Sequence, residues 1–183
     1  MISYQLLIIL HLIGLAIGMG AATVADIMVF RFLKDFHVSR WETKVLKTVS
    51  IMIWVGLAIL ILSGIGIYLQ NTVRYNFTVK FLVKMVIVGI IILNGILLNL
   101  YITPRLVKLD FADHQLSFVK RITFASGAIS MTSWYTVLIL GALRNDVPLT
   151  FMQLLAVYLF LLSGAIAASQ LALYLMDRKI LHL

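Results

Sequence analysis

The chain has 183 residues, 62% hydrophobic and only 12% charged, with no cysteine and a net charge of +8. Water-facing surface needs about 25% charged residues, so a soluble domain is excluded. The lack of thiols excludes disulfides, Cys-ligated iron–sulfur clusters, covalently attached c-type haem and thiol chemistry. A basic balance can signal nucleic acid, but no soluble basic domain exists here to carry it, so no nucleic-acid partner is expected.

Apolar runs long enough to cross a ~30 Å hydrocarbon core recur along the chain. Lipid cannot pair backbone polar groups, so such runs must be helices. A barrel is disfavoured because the runs are continuously apolar rather than alternating. The reading is all-α: a polytopic transmembrane helical bundle forming a single domain over residues 1–183. Five spans are expected, a four-helix core plus a fifth helix, at Tyr4–Phe30, Thr48–Leu69, Val79–Ile102, Ile122–Leu143 and Leu149–Met176. No basic region precedes the first apolar run, which is too long for a signal sequence, so it is expected to remain as the first membrane helix.

Basic residues then set the orientation. Arg31, Lys34, Arg40, Lys44 and Lys47 lie around the first loop, Arg105, Lys108, Lys120 and Arg121 around the third, and Arg178 and Lys179 in the tail. The alternate loops are sparser, with Arg74 and Lys80 in one and Arg144 in the other. Lys and Arg accumulate on the cytoplasmic side. The N-terminus is therefore expected outside and the C-terminus inside, in a cell inner (plasma) membrane. This also accounts for the basic isoelectric point of about 9.9.

In the first span His11, Gly14, Gly18, Ala22 and Asp26 fall on one helical face. The GxxxG pair Gly14 and Gly18 admits either another helix or a flat ligand at close range. In the third span Lys84, Gly95 and Asn99 share a face, and Lys84 to Asn99 is fifteen residues, as is His11 to Asp26. Two parallel helices then set a basic group near one end and a carboxyl or amide near the other. Lys84 either snorkels to the outer headgroups or partners an anion. Asp26 is expected to pair with Asn99 or with a basic first-loop residue such as Arg31, both polar groups being structural. In the second span Ser63, Gly64 and Gly66 are small and on the outer side.

The fourth span carries Ser126, Ser130 and Ser133 at i, i+4 and i+7, a polar stripe facing protein, followed by Trp134 and Tyr135 near the depth of His11. Of four histidines only His11 is membrane-embedded; His37, His114 and His182 lie in loops or the tail. A lone membrane histidine suits an axial haem ligand, a structural hydrogen bond or a proton relay. Met131 is a candidate second ligand.

The stretches "LHLIGLAIGMGAATVADIMVFRFLKD", "VGLAILILSGIGIYL" and "FLVKMVIVGIIILNG" resemble a superfamily of small polytopic membrane proteins. It contains the membrane protoporphyrinogen oxidases (HemJ type) and the membrane domain of copper-resistance proteins (CopD type). The resemblance covers about residues 5–145. It implies a four-helix core with haem b near the outer face. His11 would ligate the haem iron, Lys84 would belong to the same site, and Ser63-Gly64 would match a small pair in helix two. The chain departs from the oxidases at "GMGAATVAD", where theirs is aromatic-rich, and in its fifth helix, so the resemblance does not extend to the oxidase activity.

The sequence thus suggests a membrane b-type haem-binding protein serving electron transfer or redox sensing, and a membrane oxidoreductase if it is an enzyme. Its partners would be the lipid bilayer and a quinone or a redox partner protein. The cofactor face would comprise His11, Gly14, Gly18, Lys84, Ser130 and Trp134. An alternative is a small channel or transporter lined by Asp26, Asn99 and the serines, although its midplane is thin in polar groups, with mainly Asn94. Another is a subunit or assembly factor without chemistry, joined through its small-residue faces to copies of itself or to other proteins.

Overall fold

The computed structural model describes residues 3–32, 40–76, 78–108, 115–143 and 147–181. Among these the chain is entirely helical apart from short connections: α1 Tyr4–Phe32, α2 Arg40–Gln70, α3 Thr72–Asn76, α4 Val79–Leu97, a π-helical turn Leu98–Ile102, α5 Thr103–Lys108, α6 Gln115–Ala142 and α7 Phe151–Leu181. Five helices are long and apolar enough to cross a membrane. This is the architecture of a multi-pass membrane protein, as the apolar runs require. His37, His114 and His182 lie outside the described residues.

Two helices start earlier than the apolar runs do. α2 begins at Arg40 and α6 at Gln115, because the preceding basic segments contain good helix formers and no Gly or Pro to stop them. The third span stays helical throughout but widens near its end. At its end the Leu98 carbonyl accepts both the backbone N–H of Thr103, a wide i→i+5 bond, and its hydroxyl at 2.9 Å. Pro104 follows, with no N–H to donate and a ring that crowds the preceding turn. The widened turn lets the helix continue past it to Lys108.

In lipid, helices gain little from excluding water, so close packing and polar contacts hold them together. α1 lies along α2 through three glycines. A Cβ on Gly14 would meet the Leu60 amide nitrogen at 2.7 Å and the Gly56 carbonyl at 2.9 Å. A Cβ on Gly56 would run into the backbone of Gly18. On its other side α1 meets α6, where the Trp134 ring fills the space a Gly18 side chain would take. The α2 ring of Trp54 rests on Gly95 of α4, and the Ser50 hydroxyl donates to Asn99 Oδ1 at 2.8 Å. α7 packs on α6 and α4. The apolar core joins Leu57 and Leu60 to Ile87 and Ile91, Trp134 and Tyr158. Large apolar side chains such as Leu62, Leu93 and Phe160 face outward, as lipid contact demands.

The serine stripe is buried as its spacing predicts: Ser126, Ser130 and Ser133 are 1%, 8% and 0% exposed. Each serves a different neighbour. The Ser126 carbonyl accepts Asn94 Nδ2 at 3.0 Å, Ser130 bonds Asp26, and Ser133 is 2.8 Å from the Tyr158 hydroxyl of α7. Tyr158→Phe should lower stability by about 0.5–1.5 kcal/mol in reversible denaturation in mixed micelles. Combining it with Ser133→Ala should cost less than the two changes summed, and strict additivity would mean that this hydrogen bond contributes nothing.

Candidate functional site

The end of the bundle where α1 begins gathers polar groups. Tyr68 at the end of α2 stacks on Phe81 of α4, with centroids 5.5 Å apart, and the hydroxyls of Tyr4 and Tyr75 meet at 3.3 Å. One to two turns deeper lies His11. Its ring rests on Gly64, where a Cβ would come within 3.3 Å of Cε1. Gly66 likewise makes room for Leu7. The small residues of the second span therefore seat α1 side chains.

The hydrogen bonds fix the histidine tautomer. The Ser63 hydroxyl lies 2.6 Å from the Ile59 carbonyl and 3.1 Å from that of Leu60, so its one proton is committed to the backbone. His11 Nδ1 lies 3.1 Å from the same oxygen and must donate to it. The Leu60 carbonyl is a second acceptor for the ring. Assigned in this way, Nδ1 carries the proton and Nε2 presents a lone pair.

Lys84 of α4 is half-buried and within electrostatic range of His11, with Lys80 close behind it. Lys80 turns outward to cap α6, donating to the Leu143 carbonyl at 3.0 Å. The described carboxylates, Asp26, Glu42 and Asp177, lie toward the opposite end of their helices. Among the described residues this end is therefore positive.

Other expected cofactor contacts are taken up by protein. Gly14 is covered by the α2 backbone, Gly18 by Trp134, and Ser130 by Asp26. Trp134 is 2% exposed and belongs to the core, not to an interface belt. Asp26 and Asn99 do not pair. Asp26 turns to Ser130 of α6 and Asn99 to Ser50 of α2. Arg31 is exposed.

Spacing alone missed three residues. Gly56 completes the α1–α2 crossing, and its position seven residues before Ser63, on the same helical face, was the available signal. Tyr158 and Trp54 gave no signal, since an aromatic residue in an apolar run suits lipid equally well. Among the described residues no group of three or more His, Cys, Asp or Glu side chains could cage a metal ion. No family model, curated protein or solved structure matches this chain.

Proposed function

We propose that this multi-pass membrane protein binds a b-type haem through His11 and serves electron transfer or redox sensing in the inner membrane, with a quinone or a redox protein as partner. One observation carries the reading: the Ser63 hydroxyl, its own proton given to the backbone, accepts the Nδ1–H of His11, which leaves the ring lone pair on Nε2. Histidines that bind metals almost always donate their other ring N–H in this way, which fixes ring orientation and raises ligand basicity. Lys84 supports it. An ammonium in the same low-dielectric site would pair with a haem propionate by a charge-assisted bond. The resemblance of the first three spans to haem-binding membrane proteins points the same way, and the basic loops support an outer position for this end of the bundle.

The donor chemistry of His11 and Lys84 fits the group. The Gly14 and Gly18 face does not, being filled by α2 and Trp134. The haem would supply one-electron redox chemistry. The chain's own part is to orient the imidazole through Ser63 and to neutralise carboxylates through Lys84.

Optical spectra of the detergent-purified protein, oxidised and dithionite-reduced, with pyridine haemochrome quantitation, test this. Wild type should show a Soret band that His11→Ala abolishes or shifts while the variant still elutes as a folded species. Ser63→Ala should retain less haem, by the roughly 10–100-fold loss of affinity that follows removal of a supporting hydrogen bond. A colourless wild type expressed with haem available, or an unchanged spectrum in His11→Ala, would end the assignment.

A further inference from the structure

The opposite end of the bundle holds a second unusual group. Asp26 is 8% exposed and is the one acidic side chain buried among the described residues. Its Oδ2 has no hydrogen-bond partner. The Ser130 hydroxyl bonds the carboxyl, and Oδ1 lies over Gly127 of α6, 3.5 Å from where a Cβ would stand. Beside it is a cavity of about 20 Å³ lined by Asp26, Val29, Leu98, Thr123, Phe124 and Gly127. That volume suits a single water molecule or small ion. Thr123 gives its proton to the Val119 carbonyl at 2.7 Å, which leaves oxygen lone pairs on the cavity side of the ledger. Asn94 Oδ1, on the side chain that reaches Ser126, is a second buried acceptor without a partner.

No described basic group neutralises this carboxyl. On α6, Lys120 pairs with Asp177 of α7 at 3.8 Å and Arg121 is exposed. Beyond the π-helical turn Arg105 lies over the Tyr101 ring at 3.4 Å, and Arg31 on α1 is exposed. A buried, uncompensated carboxylate costs several kcal/mol, and what the site lacks is positive charge. The cavity wall at Leu98 begins the π-helical turn, a distortion found frequently at functional sites.

We propose that Asp26 and this cavity form an exchangeable binding site for one small monovalent cation, a proton or a sodium ion. The site is independent of haem at His11. The Asp26 carboxylate is the charged ligand, Thr123 contributes a neutral oxygen from the cavity wall, and Ser130 holds the carboxyl in place. Binding is reversible and breaks no covalent bond.

Infrared difference spectroscopy of wild type in detergent, cycled between acidic and alkaline buffer, tests the proposal. A neutral-carboxyl C=O band, shifted by deuteration, should appear and vanish reversibly. Labelling of the folded protein with dicyclohexylcarbodiimide, read by mass spectrometry, assigns it to Asp26 without a variant. Asp26→Asn should lose the band and the label, and Asp26→Glu should keep a shifted band. If sodium added at fixed pH abolishes the band and blocks labelling, the ion is sodium; if it has no effect, the ion is the proton. A band that never changes across the range of pH and sodium, or no label on Asp26 at any pH, would overturn the proposal.

Discussion

Gly56→Leu should abolish recovery of folded protein. The added Cβ would lie 2.6 Å from the Gly18 Cα and 2.9 Å from the Gly14 carbonyl, and even closer to the Gly18 amide nitrogen. These are backbone atoms, which cannot rotate aside as a side chain can. Inserting groups into a packed interior ordinarily costs about 1–3 kcal/mol and occasionally more, and two helix backbones in contact place this site at the upper end. Gly89→Leu and Gly141→Leu are the controls, since a Cβ there has nothing within 4 Å. Monodisperse yield after gel filtration and the thermal midpoint in detergent give the readout. A Gly56→Leu protein as stable as the controls would mean that α1 and α2 do not cross at these glycines.

Trp134→Ala should destabilise the protein by about 3–5 kcal/mol, the cost of opening a large cavity. Gly18→Leu alone should also destabilise it, because its Cβ would sit 2.7 Å from the edge of the indole ring. The two changes together should be less harmful than either cost predicts. The leucine would occupy part of the space the indole leaves, giving a coupling of about 0.5–3 kcal/mol. Reversible denaturation of the four proteins in mixed micelles measures this. Simple additivity would show that Trp134 does not fill the Gly18 notch.

The five spans were legible in the sequence because lipid leaves the backbone no other way to pair its N–H and C=O groups. The burial of Ser126, Ser130 and Ser133 was legible for a related reason: hydroxyls spaced along one helical face avoid hydrocarbon together. Identity of contact was not legible. Gly14 and Gly18 announce a close neighbour without saying whether it is a ring or a helix, and the answer depends on Gly56, in another span. The expected Asp26–Asn99 pair assumed a regular α-helix through residue 102. In the structure Asn99 bonds Ser50 and Leu98 lines the cavity beside Asp26. The π-helical turn that begins at Leu98 leaves no trace in hydropathy, and Pro104 was its one visible cause.

The glycine crossing also orders assembly in time. It joins helices that are consecutive in the chain and complete by Gln70, so both partners exist before the third span is synthesised. Domains acquire structure from the N-terminus as the chain emerges, and this hairpin needs nothing made later. The His11–Ser63 hydrogen bond lies within it, so the imidazole is oriented by the first two helices alone. The Asp26 cavity, by contrast, requires Leu98 and Phe124 and exists only once α6 has docked. The surroundings of His11 set by Ser63 and Gly64 therefore belong to a two-helix hairpin, whereas those of Asp26 belong to the finished bundle.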